Sequence, residues 1–189
     1  MKKILKHIAR NIISRILILE SRIVLRKYRP QIIVVTGTVG KTSTKDALYA
    51  VFSSFTSVRR SDKSFNSEIG VPLTILNLPN AWGSLFGWVK NILRGLVLIF
   101  SHQPYPRWLI IEVGTDKPGD VSGIANWLVP DVVVATRFAE IPVHVENFKN
   151  PEDVIKEEQS IAFSLKKDGM LVVNNDDPLS VKLRDNLEV

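Results

Sequence analysis

The feature that most constrains the fold is a short β-branched run that leads directly into a glycine loop. Residues 31–36 read Gln-Ile-Ile-Val-Val-Thr, and residues 37–43 continue as Gly-Thr-Val-Gly-Lys-Thr-Ser. An apolar run of this kind is typical of a buried parallel strand. Residues 44–52 fit a helix, and strand, glycine loop and helix in this order are the context in which a Gly-Lys-Thr sequence predicts a phosphate site.

The residue types in this loop suit the binding of a triphosphate. Glycines let backbone N–H groups close around phosphate oxygens, and the start of the helix adds its dipole. Lys41 is predicted to reach the β- and γ-phosphates, and the Thr42 hydroxyl is predicted to bind Mg²⁺. The general phosphate-loop pattern has a further glycine where this chain has Val35, so the loop is a shortened form; the alternative is a chance Gly-Lys-Thr in a strand–helix turn. The residues predicted to bind ATP here are Gly37, Thr38, Gly40, Lys41, Thr42 and Ser43.

Three further apolar runs, near 108–113, 131–136 and 170–174, alternate with segments that suit helices. This alternation predicts an α/β fold, a three-layer P-loop-type domain with a mostly parallel sheet and helices on both faces. Glu112 ends the first of these runs and is therefore expected at the carboxyl edge of the sheet, where open α/β sheets bind ligands. A carboxylate there suits Mg²⁺, although an ordinary acid at a strand end is the alternative.

Charge is distributed unevenly along the chain. Residues 1–30 contain nine Lys and Arg residues against the single acid Glu20, a charge of +8, whereas the whole chain carries +6. The remaining residues therefore sum to −2, which disfavours a general nucleic-acid-binding surface. The chain has no cysteine, so disulfides, thiolate catalysis and Cys-based zinc sites are excluded. A cysteine-free chain is also consistent with a cytoplasmic location.

The basic arm, residues 1–30, has apolar residues at three- and four-residue steps, the pattern of an amphipathic helix. Its arginines interrupt any run long enough to span a bilayer, and it lacks the cleavage site of a secretory signal. Two interpretations remain open: the helix packs on the rest of the protein, or it lies on an anionic membrane surface at the inner face of the cell membrane. A second apolar stretch, residues 82–100, is either a companion membrane patch or a core helix.

Five segments together resemble the Mur ligase family. Residues 36–42 resemble its ATP loop, Thr-Gly-Thr-Asn-Gly-Lys-Thr, with Val39 in place of the usual Asn. Residues 64–74 resemble the segment Asn-x-Asn-Asn-Glu-Ile-Gly-Val-Pro-Leu-Thr and keep Asn66, in a form most similar to the cell-wall branch. The strand that ends at Glu112, the strand 130–136 with the histidine that follows it, and residues 170–178 complete the set in the family's order.

This resemblance implies an ATP-dependent, amide-forming ligase of peptidoglycan precursor synthesis, which uses ATP and Mg²⁺ and forms an acyl phosphate. The implied partners are a UDP-linked or other carboxylate substrate and an amine acceptor. The implied site residues are Lys41, Glu112 and His144 for catalysis, Thr42, Glu112 and His144 for Mg²⁺, Asn174 and Asp177 beside the nucleotide, and Asn66 for the substrate.

The chain departs from the family at one metal-binding position. Many Mur ligases have a lysine there that becomes carbamylated, and the position corresponds to Glu158 in this chain. We predict that Glu158 supplies a fixed carboxylate where relatives need CO₂ to make one. The alternative is a misalignment by two residues, which would place Lys156 at this position.

Complete Mur ligases have three domains, and this chain matches the central one. We expect a basic amphipathic helix at residues 1–30 and an ATP-binding domain at residues 31–189, without the C-terminal ligase domain. Such a chain should bind ATP but ligate poorly alone. A ligase similar to folylpolyglutamate or cyanophycin synthetase is an alternative enzyme, and a membrane-associated nucleotide-binding module or inactive partner subunit is the non-enzymatic alternative.

Overall fold

The fold is built on one sheet of five parallel strands in the order β2-β3-β1-β4-β5. The computed structural model describes residues 2–62, 65–139 and 145–187, with side chains from residue 8 onward. The strands are β1 (Gln31–Thr36), β2 (Val58–Arg60), β3 (Trp108–Glu112), β4 (Val132–Ala135) and β5 (Met170–Val173). The predicted parallel α/β sheet is therefore confirmed, and β2 is the strand that the sequence did not reveal.

Seven α-helices precede, connect or follow these strands within the described residues. They are α1 (Lys2–Tyr28), α2 (Lys41–Phe52), α3 (Gly70–Leu76), α4 (Leu85–Phe100), α5 (Asp120–Ala125), α6 (Pro151–Gln159) and α7 (Pro178–Asn186). Short 3-10 turns lie at Val145–Asn147 and Ser160–Ser164. The predicted amphipathic helix in the arm corresponds to α1.

The two faces of the sheet are covered unequally. Since side chains alternate along a strand, Ile32 and Val34 of β1 enter the larger core, whereas Ile33 and Val35 point to the opposite face. The larger core contains residues from α1, α3, α4, α5 and α7, and the smaller one is closed by α2. Helices on both faces give the three layers that the alternation of elements predicted.

Helix α1 shares the core of the domain that follows it. Leu17 and Val24 are fully buried in the larger core, and Tyr28 stacks on Tyr105 with ring centroids 4.6 Å apart. Ser14 donates a 2.7 Å hydrogen bond to Glu68, in the segment that leads into α3. The inner face of α1 thus packs on the protein, as the first interpretation of the arm required. Among the described residues, none of the helices has the length and apolar character needed to cross a membrane.

A buried carboxyl group lies at the contact between α1 and α4. Glu20 is 3% exposed, and neither of its side-chain oxygens has a hydrogen-bond partner in the described part of the chain. It faces Gly95 of α4 so closely that any larger residue at that position would collide with its carboxyl group. Desolvation raises the pKa of Glu20 to about 7.

The substitution Glu20→Gln should flatten the pH dependence of stability. The folded-state pKa of about 7 lies above the ordinary value of 4.5, so the folded state binds the additional proton and stability falls as pH rises through this window. Ionising Glu20 should cost about 3 kcal/mol of unfolding free energy between pH 5 and pH 8. Urea unfolding at both pH values measures this difference in the original protein and in the variant. An equal loss of stability in both would contradict the assignment to Glu20.

Candidate nucleotide site

The glycine loop is a tight connection between β1 and α2 at the carboxyl edge of the sheet. Gly37 and Gly40 have φ angles of 124° and 90°, which residues with a side chain rarely adopt. A Cβ atom on Gly37 would also collide with the hydroxyl of Thr136. Val35, at the position of the missing glycine, is a fully buried residue of β1 that pairs in register with Glu112. The loop is therefore short because the strand continues further than in the general pattern.

The loop is held against the end of β4, and α2 begins directly after it. The N–H groups of Thr38 and Val39 donate to the carbonyl of Arg137, at 2.7 and 3.3 Å. Gly40 precedes the first helical residue, Lys41. The first N–H groups of a helix have no partner within it, so the start of α2 offers backbone donors and a positive dipole end to an anion.

Glu112 lies at the centre of a buried polar group. Its Oε2 atom accepts a 3.0 Å hydrogen bond from the Thr42 hydroxyl and lies 3.4 Å from Nζ of Lys45. The backbone N–H of Glu112 donates to the hydroxyl of Ser61 at 3.0 Å, which ties the end of β3 to the end of β2. Glu112 and Lys45 are only 4% and 2% exposed. The two residues predicted to bind Mg²⁺ together, Thr42 and Glu112, are thus in contact.

Glu158 and Lys41 form a second polar group beside the same loop. Oε2 of Glu158 accepts a 2.7 Å hydrogen bond from the Thr38 hydroxyl, and Oε1 lies 3.8 Å from Nζ of Lys41. The Lys41 ammonium also donates to the carbonyls of Gly37 and Thr38. The Thr36 hydroxyl donates to the backbone carbonyl of Glu158 at 2.8 Å, which fixes α6 above the loop.

The neighbouring residues of α6 point elsewhere. Glu157 accepts hydrogen bonds from the N–H groups of Val121 and Ser122, both at 2.8 Å, and so caps the start of α5. Lys156 is exposed. In the structure the buried carboxylate of Glu158, and not Lys156, therefore faces the phosphate loop.

Asn66 and Gly114 close the other side of this space. The N–H of Gly114 donates to the carbonyl of Asn66 at 3.2 Å. A Cβ atom on Gly114 would lie 3.2 Å from Cε of Lys41 and 3.4 Å from Nδ2 of Asn66. The absence of a side chain at Gly114 thus leaves room for Lys41 and Asn66 to approach each other. A small cavity of about 90 Å³ lies between Lys41, Asn66, Gly114 and Glu158.

Two other predicted nucleotide contacts have structural partners at the edge of β4 and β5. Asp177 is 5% exposed, and its Oδ2 atom accepts from the N–H of Phe138 at 3.0 Å and from the hydroxyl and N–H of Ser180 at 2.6 and 3.2 Å. Desolvation acts to raise the pKa of Asp177, but these hydrogen bonds together outweigh it and leave the pKa lowered. Asn174 accepts from the N–H of Asp176 and shapes the turn before α7. Asp177 thereby holds the loop after β4 in place.

The remaining predicted site residues are Ser43, which is exposed in the first turn of α2, and His144, which lies outside the described residues. Two contributions were missed from the sequence. Lys45 follows Lys41 by four residues and therefore lies on the same side of α2, a spacing that could have identified it. The contact of Thr38 with Glu158 joins residues that are 120 positions apart, and no local pattern predicts it.

The fold and the glycine loop together define a P-loop-type α/β domain. The sequence model of the Mur ligase middle domain matches residues 35–86 and 96–189, so the chain belongs to that family. This confirms the predicted resemblance.

Two curated relatives and one solved structure illustrate the similarity. The chain is 28% identical over 155 residues to the UDP-N-acetylmuramoyl-tripeptide–D-alanyl-D-alanine ligase of Bacillus subtilis, covering 82% of this chain and 28% of the relative. It is 47% identical over 97 residues to the ligase of the same description from Synechocystis, covering 50% of this chain and 21% of the relative. The crystal structure of the MurF ligase from Thermotoga maritima in complex with ADP superposes with a TM-score of 0.67 at 23% identity, covering 93% of this chain and 34% of that one. The chain thus spans about a third or less of each of these proteins.

The buried pair of Lys45 and Glu112 yields a stability prediction. Replacing Lys45 with Met should leave the Glu112 carboxylate buried without its nearest cation and should lower the free energy of unfolding by about 3 kcal/mol. The double variant Lys45→Met/Glu112→Gln should recover part of this loss, because both charges are then absent. The exposed Lys156→Met is the control for loss of a lysine and should change stability by less than about 0.5 kcal/mol. If Lys45→Met and Lys156→Met gave the same urea unfolding curve, the buried pair would have no part in stability.

Proposed function

We propose that this chain is the Mg-ATP-binding part of an amide-forming ligase that acts on peptidoglycan precursors in the cytoplasm. The observation that carries this proposal is the convergence of Lys41, Thr42, Glu112 and Glu158 around one glycine loop. The similarity to ligases that join D-alanyl-D-alanine to a UDP-linked muramoyl tripeptide supports the cell-wall substrate class. The structural likeness to a MurF ligase in complex with ADP supports a nucleotide as the ligand of this chain.

The donor atoms at the site fit a hard divalent cation. The Thr42 hydroxyl and the Glu112 carboxylate are in contact, and the buried Glu158 carboxylate lies beside the same loop. Among the described residues no group of three His, Cys, Asp or Glu residues surrounds a single point, so phosphate oxygens and water would complete the coordination. We propose that Thr42, Glu112 and Glu158 hold Mg²⁺ together with the nucleotide, and that His144 joins them. When bound, Mg²⁺ neutralises part of the negative charge on the phosphates.

The residues of this chain then position and stabilise a phosphoryl transfer. Backbone N–H groups at the start of α2 bind the phosphates, and Lys41 moves from the loop carbonyls to the β- and γ-phosphates. A substrate carboxylate oxygen attacks the γ-phosphorus, the bond from this phosphorus to the β-phosphate oxygen breaks, and ADP leaves. An amine next attacks the acyl carbon, loses a proton, and displaces phosphate to give the amide. Asn66 lies beside Lys41 and Gly114, and this proximity supports a contact between Asn66 and the carboxylate substrate.

Calorimetric titration of ATP with and without Mg²⁺ tests the phosphate loop. The chain should bind ATP in a Mg²⁺-dependent manner, and Lys41→Ala should weaken this binding by at least about tenfold, since hydrogen bonds to charged groups contribute about 1.5–3 kcal/mol. Lys156→Ala removes an exposed lysine of α6 and is the matched control, with unchanged affinity expected. A folded chain that bound no ATP, or that lost affinity equally in both variants, would contradict the proposal.

Glu158 permits a separate test of the fixed-carboxylate hypothesis. Glu158→Gln should weaken Mg²⁺-dependent ATP binding by about tenfold or more. Even the loss of a residue that only hydrogen-bonds to a metal ligand lowers metal affinity by about this much. Glu152→Gln removes an exposed carboxylate from the first turn of the same helix and should have no effect.

The variant Glu158→Lys restores the residue type that many relatives have. If a carboxylate is required at this position, Mg²⁺-dependent ATP binding by the lysine variant should depend on added bicarbonate, whereas binding by the original protein should not. Unchanged Mg²⁺-dependent binding in Glu158→Gln would show that the carboxylate has no such role.

A membrane-associated nucleotide-binding module or inactive partner subunit is the second candidate function. The observation in its favour is the apolar outer surface of α1 and α4, where Phe86 and Phe100, with Trp82 in the turn before α4, are each at least 80% exposed. An assay of amide formation by the protein as the cell makes it separates the two candidates. Substrates of the folylpolyglutamate or cyanophycin type belong in the same assay, because their ligases resemble this domain.

A further inference from the structure

Helices α1 and α4 lie side by side on the same face of the sheet. Leu17 and Val24 of α1 and Trp88 and Leu98 of α4 belong to one hydrophobic core. Glu20 meets Gly95, and further along both helices Lys27 donates to the last carbonyls of α4. Because both helices turn their inner faces to this core, their outer faces both point away from the sheet and form one surface.

The outer face of α4 is almost entirely apolar. Its residues recur at helical spacing, and the most exposed are Phe86 at 80% and Phe100 at 82%. Trp82, in the turn before the helix, is 81% exposed, and its carbonyl accepts a 3.0 Å hydrogen bond from the indole of Trp88. Four exposed residues of α1 occur at steps of four, seven and four and continue this surface. The exposed apolar residues are Ile8, Ile12, Leu19 and Ile23 on α1, and Leu85, Phe86, Val89, Leu93, Leu96, Val97 and Phe100 on α4.

All the exposed charged side chains described on α1 and α4 are positive. The sequence contains no Asp or Glu from residue 69 to residue 111, and the single acid of α1, Glu20, is buried. Five exposed cations accompany the apolar residues: Arg15, Arg22, Arg26, Lys90 and Arg94. None of these five forms an ion pair with an acid in the part of the chain that the structure describes.

The exposed apolar residues and the exposed cations together indicate which kind of partner binds this surface. A second copy docking through the same surface would bring five cations against five cations, and like charges at an interface are strongly unfavourable. An anionic bilayer matches both properties, since acyl chains accept the apolar side chains and phosphates accept the arginines and lysines. Neither helix can cross the bilayer, so both would lie in the plane of its surface.

We propose that α1 and α4 together form a surface that docks on anionic lipid bilayers. The apolar side chains enter the boundary between headgroups and acyl chains, and the five cations bind the headgroup phosphates. The surface extends the membrane contact predicted for the arm, because most of its apolar residues belong to α4. It leaves the nucleotide site accessible, since the phosphate loop lies at the carboxyl edge of the sheet and not on the outer faces of these helices.

Co-sedimentation of the chain with vesicles tests this surface. Binding is expected to vesicles of phosphatidylcholine mixed with phosphatidylglycerol, and weak or absent binding to phosphatidylcholine alone. The triple variant Arg15→Gln/Arg22→Gln/Arg94→Gln should weaken binding about a hundredfold, at about fivefold for each cation near the membrane surface. The control is Lys156→Gln/Lys167→Gln/Arg184→Gln, which removes three exposed cations elsewhere and should bind as the original protein does.

The apolar contribution is tested by Phe86→Ser/Leu93→Ser/Phe100→Ser. This variant should lose vesicle binding while retaining its circular dichroism spectrum and its Mg²⁺-dependent ATP affinity, because all three side chains are exposed. The control Phe55→Ser/Phe163→Ser removes exposed aromatic residues outside the surface and should keep binding. Insertion should also shift the tryptophan emission to shorter wavelength, and this change should diminish in Trp82→Phe.

Three results would overturn the proposal. The first is an intact, folded chain that fails to sediment with anionic vesicles. The second is equal binding to neutral and anionic vesicles, which would remove the role of the cations. The third is a dimer in sedimentation velocity that dissociates in the Phe86→Ser/Leu93→Ser/Phe100→Ser variant, which would assign the surface to a second copy. Each result is independent of ATP binding, so failure here is distinguishable from failure of the proposed nucleotide site.

Discussion

The position of β1 at the centre of the sheet is the constraint on which the site depends. It pairs with β3 on one side and β4 on the other, both in parallel, so the ends of all three strands meet at one edge. The glycine loop leaves β1 at this edge and must turn within the space that Thr136 leaves free. The register of Val35 with Glu112 then sets the carboxylate beside the first turn of α2. A shift of β3 by one residue would turn the Glu112 side chain to the opposite face of the sheet.

The site has two lysines and two buried carboxylates arranged as two pairs. Lys45 lies beside Glu112, and Lys41 lies beside Glu158. The lysines differ in what they can do: Lys45 is 2% exposed and fixed within α2, whereas Lys41 is partly accessible and contacts the loop carbonyls. An incoming triphosphate can compete for Lys41 but not for Lys45. If Lys41 moves to phosphate, its contact with Glu158 is lost, and a divalent ion can take the place of the ammonium beside this carboxylate.

The sequence predicted the parts of this arrangement that local patterns encode. A β-branched run followed by glycines, lysine and threonine was sufficient to place the phosphate loop, and apolar runs located four of the five strands. β2 was not predicted because it has only three residues and two of them are arginines. The order of the strands was also outside the reach of periodicity, since β2 and β3 are joined by two helices before they pair.

The packing of the arm was beyond prediction for a different reason. Its amphipathic pattern fits a helix on a protein core and a helix on a membrane equally well, and the structure shows that α1 uses one face for the core. The exposed face retains isoleucines and arginines together, which a helix that needed only the core would have no reason to keep.

The contacts of α1 also relate the membrane surface to the nucleotide site. Ser14 of α1 bonds to Glu68, two residues from Asn66, and Asn66 lies beside Lys41 and Gly114. Helix α3 follows this segment and is buried along its whole length between α1 and the sheet. A bilayer that fixes α1 and α4 therefore also fixes the segment expected to bind the carboxylate substrate.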